Sequence, residues 1–367
     1  MKVCVISTPV FKVPCSGYSG LEVIAWNQAK GLAEKGHNVS MVAPDGSECP
    51  GVSMITCGKE GTWDEKSFYQ KYWQELLKFD VIIDHSWQKW SYVLKVEGRL
   101  KAPVLGVLHA PVNTMYQTLP TVEKPCFVCI SDDQKAHFDA LFAPVTAKRA
   151  YNGVDLSFYK PLDVPRSDRF LFLARFSTIK GPHIAIEACR NAKVGLDLIG
   201  DTSITNEPDY LKKCQEMCND YTDSLNIGDS YNPSAFNKRI KMVGPATRGE
   251  CVWWFSQAFC MLHPVKNFRE PFGLTLVEAN ACGCPVIVWD NGACREIIRQ
   301  CETGFLVRSE KDLENCITVM ANEGLMGFFQ SVLKTREACV ENANRFTIQK
   351  MVDRYDELIK EAVEGGW

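Results

Sequence analysis

Short apolar segments alternate with segments of helical periodicity along most of the chain. In the first half the apolar segments predict strands, which cover residues 2–7, 37–43, 81–84, 104–109 and 127–131. The periodic segments between them predict helices over 21–35, 68–78 and 133–141. This alternation is typical of βα units that build a parallel sheet. We therefore predict a doubly wound, Rossmann-like α/β lobe over residues 1–165.

The same alternation restarts after residues 161–167, a polar segment with prolines that is typical of a linker. Predicted strands then cover 170–174, 196–200, 241–244, 260–263 and 286–289, with predicted helices over 183–191, over 250–258 and from 273 or 274. The pattern predicts a second Rossmann-like α/β lobe over 166–345. Residues 220–237, rich in Asp, Ser and Asn, are expected to form an irregular surface insertion.

The last segment, 346–367, is predicted to be a separate C-terminal helix. Its apolar positions recur at helical spacing, at Met351, Val352, Tyr355, Leu358 and Ile359. A helix this amphipathic must bury one face. We therefore expect it to pack back toward the N-terminal lobe and to bridge the two lobes.

Composition limits the class of protein. A chain of 367 residues exceeds what one hydrophobic core usually supports, and 46% apolar residues are enough for two cores. The net charge of -3 argues against a nucleic-acid partner. No apolar stretch has the length of a signal sequence or a membrane span, so we expect a cytoplasmic protein.

The seventeen cysteines are scattered through apolar segments, which is typical of buried free thiols in a reducing compartment. Cys126 and Cys129 have a spacing that zinc ligands use, but on a predicted strand an offset of three places them on opposite faces. Cys214 and Cys218 share a predicted helix face, and Cys282 and Cys284 flank a predicted turn. We expect no metal site.

The segment from Glu270 to Trp289 carries the most specific chemistry in the sequence. Glu270 precedes a helix predicted to begin at Gly273 or Leu274, and Glu278 follows on that helix after seven intervening residues. Free N–H groups at a helix start attract phosphate, and Gly273 lets a ligand approach the main chain. An ionised carboxylate accepts hydrogen bonds from paired hydroxyls, so Glu270 suits a hexose and Glu278 a ribose. As spacing alone, two such glutamates are equally compatible with an ordinary buried helix.

The end of this helix completes the motif. Gly283 is predicted to be a left-handed C-cap, and Pro285 follows before the strand 286–289. The order Glu-x7-Glu, small-residue helix and Gly-x-Pro-Val turn resembles the donor-binding segment of the retaining family-4 glycosyltransferases, the glycosyl transferases group 1. On this segment the resemblance implies a catalytic role for Glu270 and donor binding by Phe272, Gly273, Leu274 and Glu278.

The resemblance also implies a fold and an activity. The fold is GT-B, with two Rossmann-like lobes that face each other across a central cleft. The activity is transfer of a sugar from a nucleoside diphosphate sugar to a hydroxyl acceptor, with retention at the anomeric carbon. The sugar nucleotide is then a substrate, and neither a metal nor another cofactor is expected.

Arg175 and Lys180 follow the first predicted strand of the second lobe. Ligands of open α/β sheets lie at the carboxyl ends of strands, where an arginine fork and a lysine charge can neutralise a diphosphate. Without Glu270 and Glu278 in the sequence, these residues would be interpreted as ordinary surface cations. In this context Arg-x4-Lys-Gly resembles the diphosphate-binding pair of the family. The resemblance implies that Arg175 and Lys180 stabilise the leaving group.

The loop after the first predicted strand contains Gly17 and Gly20. It lacks the G-x-G-x-x-G spacing, which disfavours NAD binding. Ser19 and Glu22 are predicted to form a capping box at the start of the next helix. The family has a similar glycine-rich loop near the donor phosphates, so the resemblance implies donor binding by Gly17 and Gly20.

His109 ends the predicted strand 104–109, and the family places a histidine at this point, close to the donor sugar. The resemblance therefore implies a catalytic role for His109. His85, after the predicted strand 81–84, resembles a second histidine segment of the family whose role the sequence leaves open. The turn 152–155, Asn-Gly-Val-Asp, also resembles the family, although such a turn has conformational reasons of its own.

Other functions stay open. A nucleotide-sugar epimerase of the same fold would convert the donor without an acceptor, and a non-catalytic carbohydrate-binding subunit would transfer nothing. Residues 87–101 mix aromatic and basic side chains, which suits either peripheral membrane contact or a core-facing helix. The nucleobase, the sugar and the acceptor, whether carbohydrate, lipid-linked or a small molecule with a hydroxyl, are not determined by any motif.

Overall fold

A computed structural model describes residues 1–15, 17, 19–112, 125–202, 207–222, 239–328 and 332–367. The chain divides into a first unit, Met1–Gly153 with Phe346–Trp367, and a second unit, Val154–Arg345. The predicted linker 161–167 belongs to the second unit. There the Leu162 amide donates to Ser256 Oγ at 3.0 Å, and the Ser167 amide donates to the Gln257 carbonyl at 2.8 Å.

The first unit contains a seven-stranded sheet in which every pairing is parallel. Its strands are β1 (Lys2–Ile6), β2 (Asn38–Ala43), β3 (Ser53–Thr56), β4 (Val81–Asp84), β5 (Val104–Leu108), β6 (Cys126–Cys129) and β7 (Lys148–Arg149). The order β3-β2-β1-β4-β5-β6-β7 reverses direction between β1 and β4. The described helices between the strands are α1 (Leu21–Glu34), α2 (Glu65–Leu76), α3 (Ser91–Val96) and α4 (Asp132–Phe142).

The second unit repeats this architecture with strands β8 (Phe170–Leu173), β9 (Leu196–Ile199), β10 (Asp220–Thr222), β11 (Ile240–Val243), β12 (Cys260–His263), β13 (Val286–Trp289) and β14 (Gly304–Val307). The order is β10-β11-β9-β8-β12-β13-β14, again all parallel, and the reversal lies between β8 and β12. Its helices are α5 (Pro182–Ala192), α6 (Pro208–Glu216), α7 (Arg248–Gln257), α8 (Leu274–Ala281), α9 (Cys294–Ile297), α10 (Glu310–Phe328) and α11 (Val332–Ala343).

A short 3-10 turn, Asn344–Phe346, leads to the C-terminal helix α12 (Ile348–Val363), which lies in the first unit. It packs on α1, where a Cβ on Gly31 would lie 2.4 Å from Val352 Cγ2. Ion pairs flank this contact, with Lys35 Nζ 2.7 Å from Asp353 and His37 Nε2 2.9 Å from Asp356. The predicted apolar face is buried, as shown by Met351, Val352, Tyr355, Leu358 and Ile359.

The sequence located the central strands because these are continuous apolar runs that become fully buried, as in β4, β12 and β13. It missed β3, β7, β10 and β14. All four are edge strands. β3, β7 and β10 are short and offer no long apolar run, and β3 is exposed at both ends and half-buried between them. β14 is an apolar run that the prediction omitted. Of the predicted insertion 220–237, residues 220–222 form β10, and 223–237 lie outside the described residues. In the described part of the chain, no helix is both long and apolar enough to cross a membrane.

Candidate functional site

Polar side chains collect where the second sheet reverses direction. β8 has β9 on one side and β12 on the other, and the loops that follow β8 and β12 leave the same edge of the sheet. Such a reversal opens a crevice at the carboxyl ends of the strands, which is where ligands of doubly wound sheets bind. The loop after β8 carries Arg175 and Lys180, and the loop after β12 carries Glu270.

Lys180, His263 and Glu270 form a group that we call the ion-pair site. Lys180 Nζ lies 2.8 Å from Glu270 Oε2, and the two side chains are only 16% and 10% exposed. His263, the last residue of β12, places Nε2 3.4 Å from the same oxygen. Lys180 and Glu270, which lie far apart in sequence and were predicted for one site, are therefore in direct contact.

The electrostatics of the ion-pair site keep the carboxylate charged. Burial by itself raises the pKa of Glu270, but the charge of Lys180 and the neighbouring His263 outweigh it, so this pKa falls well below its usual range. Burial also lowers the pKa of His263, although Glu270 opposes that shift. The site thus holds a carboxylate acceptor and an ammonium donor side by side, as a sugar hydroxyl next to a phosphate would require.

Backbone contacts fix the loop that carries Glu270. Gly292 has a φ of 58°, and a Cβ there would lie 2.3 Å from the Glu270 carbonyl oxygen and 2.7 Å from its amide nitrogen. The Ala293 amide donates to the Glu270 carbonyl at 2.9 Å, and Asn291 Nδ2 donates to the Phe268 carbonyl at 3.0 Å. The loop after β13 therefore packs against the loop after β12 and fixes its backbone. Only glycine at position 292 permits the close approach to the Glu270 backbone.

Helix α8 begins directly after this loop. Gly273 is its N-cap with a φ of 93°, a left-handed conformation that favours glycine, and no side chain caps the helix. Leu274 is the first helical residue and is half-buried, whereas Phe272 is buried. The helix start therefore offers backbone N–H groups as an anion site. At the other end Gly283 has a φ of 74°, as predicted for the C-cap.

Glu278 lies on α8 with two partners that the sequence did not reveal. Burial is the largest effect on its carboxylate and raises its pKa, whereas the charge of Arg248 and the Tyr159 side chain both oppose that rise. Arg248 Nε lies 3.4 Å from the Tyr159 hydroxyl. Tyr159 is buried and Glu278 is half-buried. No local pattern signals this triad, because its members come from three separate segments.

A second polar group lies at the reversal of the first sheet, and we call Gln28, His85 and His109 the histidine site. His85 and His109 follow the ends of β4 and β5. His85 Nδ1 lies 2.8 Å from His109 Nε2, and His85 Nε2 lies 2.7 Å from Gln28 Oε1. Burial, the largest effect, lowers the pKa of His85 well below its usual value and that of His109 to about 3. Both rings are therefore neutral at physiological pH.

The loop that carries His85 is held by buried charged groups. Glu65 accepts from the Trp87 amide at 2.8 Å and from the Gln88 amide at 2.6 Å. Lys89 is only 2% exposed and has a φ of 51°. Its ammonium donates a hydrogen bond to the Ser86 carbonyl. The sequence left residues 87–101 open between a lipid-facing surface and a core-facing helix, and a lysine between aromatic residues gave no sign that its own side chain is buried.

The glycine-rich loop differs from its prediction in one respect. Gly20 is the N-cap of α1 and no side chain caps the helix, so the predicted capping box of Ser19 and Glu22 is wrong. Glu22 is buried and accepts instead from the hydroxyls of Ser19 and Thr8, which satisfy the carboxylate without the helix amides. Gly17 lies in the same loop, and a Cβ there would meet no atom within 4 Å. The donor-binding role of Gly17 and Gly20 stays a prediction.

The described residues contain no group of three or more His, Cys, Asp or Glu side chains placed to hold a metal ion. Cys126 and Cys129 are both buried in β6 as free thiols.

Two family models match the chain. The model described as Glycosyl transferases group 1 matches residues 160–346, just over half of the chain, and the model described as Glycosyltransferase Family 4 matches residues 18–158.

Curated relatives include D-inositol 3-phosphate glycosyltransferases. The one from Catenulispora acidiphila is 27% identical over 245 residues, which cover 61% of this chain and 54% of that protein. The one from Thermobifida fusca is 22% identical over 350 residues, covering 78% of this chain and 76% of that protein. The chain thus spans about half the length of the first of these relatives.

Solved structures share the fold at low identity. A sucrose-phosphate synthase from Thermosynechococcus elongatus has a TM-score of 0.75 at 17% identity and covers 99% of both chains. The Anabaena protein HepE in complex with UDP-glucose has a TM-score of 0.73 at 17% identity, covering 98% of this chain and 100% of that one. With the two parallel sheets, these likenesses confirm the predicted α/β fold with two Rossmann-like units, the GT-B fold.

Proposed function

The chain belongs to the glycosyl transferases group 1 family, and from this premise we propose that it transfers a sugar from a nucleoside diphosphate sugar to a hydroxyl acceptor. We further propose that the anomeric configuration is retained and that no metal takes part. One observation carries the proposal, namely the direct contact of Lys180 with Glu270 beside the uncapped start of α8.

The ion-pair site suits the bond that must break. When the sugar–phosphate bond lengthens, negative charge builds on the diphosphate and positive charge on the sugar ring. The Lys180 ammonium, the Arg175 guanidinium and the amides at Gly273 and Leu274 are donors that can stabilise the diphosphate. Because preorganised donors act most strongly on developing charge, we assign them the largest share of the rate.

The two glutamates are assigned to the two sugars of the donor. Glu270 stays ionised through its contact with Lys180, so it can accept hydrogen bonds from hydroxyls of the transferred sugar. Glu278, farther along α8, is assigned to the ribose diol. Phe272, buried before the helix start, supports the loop, and Gly273 leaves room for the phosphate. His109 of the histidine site is assigned to the transferred sugar.

Retention at the anomeric carbon follows if the acceptor attacks from the side on which the diphosphate leaves. On that side a phosphate oxygen can take the acceptor proton, so no side chain need act as the base. The cations Arg175 and Lys180 then supply the charge stabilisation that a metal provides in other transferases.

The names of similar proteins suggest which substrates to test first. The Anabaena structure was solved with UDP-glucose, so UDP sugars lead the donor series, followed by GDP and ADP sugars. The curated relatives are named as inositol 3-phosphate glycosyltransferases, so this compound leads the acceptor series. Other carbohydrate, lipid-linked and small-molecule hydroxyl acceptors follow.

The test combines binding and product analysis. A donor that binds only the folded chain raises its melting temperature by mass action, so thermal shifts with UDP, GDP and ADP sugars identify the nucleotide. The selected donor is then incubated alone and with each acceptor, and the products are separated. A new glycoside of retained configuration, formed equally after chelator treatment, supports the proposal. Conversion of the donor sugar without an acceptor indicates an epimerase, and binding without any turnover indicates a carbohydrate-binding subunit.

Peripheral membrane contact through residues 87–101 is not needed to explain this segment. Tyr92 and Leu94 are buried in the first core, and the Lys89 side chain is buried as well. The Trp90 ring stacks on Tyr69 with centroids 6.0 Å apart. Flotation with anionic vesicles tests contact directly, and we expect the chain to stay unbound.

A further inference from the structure

The histidine site joins three elements through one line of hydrogen bonds. Gln28 comes from α1, His85 from the end of β4 and His109 from the end of β5. The line runs from Gln28 Oε1 to His85 Nε2 at 2.7 Å and from His85 Nδ1 to His109 Nε2 at 2.8 Å. Gln28 and His85 are completely buried, whereas His109 is half-buried. The outer histidine is thus held by an inner one that solvent does not reach.

The line has a direction that hydrogen-bond chemistry sets. A carbonyl oxygen only accepts, so His85 Nε2 must carry the hydrogen that Gln28 Oε1 receives. A neutral His85 then has no hydrogen on Nδ1, and the hydrogen between the rings must come from His109 Nε2. A neutral His109 with its hydrogen on Nε2 has none on Nδ1.

A neighbouring charge favours the neutral state of both rings, on which this direction depends. The positive charge of Lys89 disfavours a proton on either imidazole, in addition to burial.

We propose that His85 is a positioning residue that fixes the tautomer of His109, so that Nδ1 of His109 is an unprotonated acceptor for a substrate hydroxyl. This inference rests on the proposed function, in which His109 is close to the transferred sugar. A fixed acceptor selects a hydroxyl donor and orients it before the reaction, which matters more for kcat than for donor affinity. It also assigns a role to His85, which the sequence left open.

Histidine tautomers can be measured in the free protein. Long-range 1H–15N correlation spectra of the full chain labelled on histidine should show His109 protonated on Nε2 alone. His85→Phe removes the acceptor for that hydrogen, and we expect both tautomers of His109 to appear. His85→Asn keeps an acceptor oxygen near the position of Nδ1, so we expect it to restore the single tautomer.

Turnover provides the second readout. With the selected sugar nucleotide, His85→Phe should lower kcat about tenfold, the effect of one oriented neutral hydrogen bond, while the donor KM changes little. His85→Asn should recover most of that loss. Gln28→Leu, which removes the acceptor of His85, is a second route to the same mixture of tautomers if His85→Phe does not fold. His137→Phe, a histidine on α4 outside this line, is the control and should change neither readout.

The outcomes separate the two claims. His109 protonated on Nδ1 in the unaltered chain, or an unchanged His109 spectrum in His85→Phe, overturns the positioning role. An unchanged kcat in a folded His85→Phe also overturns it. Failure of the unaltered chain to transfer sugar overturns the proposed function, and the wild-type spectrum still reports the tautomer independently.

Discussion

The ion-pair site and the histidine site occupy equivalent places in two similar sheets but use opposite electrostatics. Each follows the strands at the reversal of a seven-stranded parallel sheet. In the ion-pair site Lys180 contacts Glu270 at 2.8 Å, and the Lys180 charge helps to hold the pKa of the buried carboxylate below its usual range. In the histidine site His85 and His109 are neutral, and hydrogen bonds and ring stacking orient them. We infer that the second unit contributes charge stabilisation and that the first contributes orientation.

The largest expected effect follows from removing the charge of the ion-pair site. Lys180→Ala deletes the donor assigned to the leaving diphosphate and leaves the buried Glu270 carboxylate unpaired. We expect the stabilisation of the transition state to fall by about 3 kcal/mol, as for loss of one preorganised oxyanion donor. This lowers kcat/KM roughly two hundredfold. Steady-state kinetics with the selected donor measure it.

Two variants control this experiment. Lys180→Arg keeps the charge and should retain more activity than Lys180→Ala. Lys212→Ala removes an exposed lysine of α6 in the same unit and should have no effect. Donor turnover at the wild-type rate in Lys180→Ala would show that the leaving-group assignment is wrong.

A second prediction uses the pH dependence of folding stability to distinguish the histidine site from the ion-pair site. His109 titrates near 6.5 in an unfolded chain but at about 3 when folded, so the unfolded chain binds its proton first. Its stabilising contribution is complete above about pH 6.5 and is lost as the pH falls from there through about 3. Between pH 7 and pH 5 this effect lowers the free energy of unfolding by up to about 2 kcal/mol. The lowered pKa of His85 decreases it further over the same range.

Glu270 behaves differently, because its depressed pKa means that its contribution is lost only below the usual carboxylate range. Hydrogen exchange at pH 7 and pH 5 should therefore show a greater loss of protection in β4 and β5 than in β8 and β12. His109→Gln should reduce the loss in the first unit, whereas His263→Gln should reduce the smaller loss in the second. This account would be wrong if both units lost the same exchange protection between pH 7 and pH 5 and if His109→Gln left those losses unchanged.

A third prediction tests the backbone clamp of the ion-pair site. Gly292→Ala places a Cβ 2.3 Å from the Glu270 carbonyl oxygen and also strains a residue whose φ is 58°. We expect unfolding to become easier by about 1 to 3 kcal/mol and donor affinity to fall, because the Glu270 loop must move. Denaturant unfolding and donor titration measure the two effects.

Gly46→Ala is the matched control for this clamp. Gly46 has a φ of 78° but meets no atom within 4 Å of a new Cβ, so it reports backbone strain alone. The difference between the two variants isolates the contact with Glu270. Equal destabilisation with unchanged donor affinity would mean that the clamp does not hold the site.

The smallest expected effect comes from Tyr159→Phe, which removes the hydroxyl that acts on the Glu278 carboxylate. The pKa of Glu278 should rise further, since that hydroxyl opposes the effect of burial. Donor affinity should fall by about 1 kcal/mol and weaken more at pH 6 than at pH 8, because an ionised carboxylate is the acceptor for the ribose diol. Donor KM measured at both values checks it, and an identical pH dependence in both proteins would argue against the ribose assignment.

The fold was predictable where apolar content and burial agree. The strands 81–84, 260–263 and 286–289 have the predicted bounds because each is a continuous apolar run between polar loops. The edge strands β3, β7 and β10 lacked such runs, since an edge position does not require them. The capping box failed because Ser19 and Glu22 satisfied a local pattern, whereas the Thr8 hydroxyl, from another segment, gave the carboxylate a better partner.

The sequence by itself determined the class of fold, the helix start at Gly273 or Leu274 and two members of the ion-pair site, Lys180 and Glu270, because periodicity and local motifs depend on neighbouring residues. Only the tertiary structure decided that His263 joins Lys180 and Glu270, that Tyr159 and Arg248 adjoin Glu278, and that His85 holds His109. These contacts join segments that are distant in sequence, and the burial that results shifts the pKa values of their ionisable groups. Neither the pairing nor the burial is encoded in any one segment.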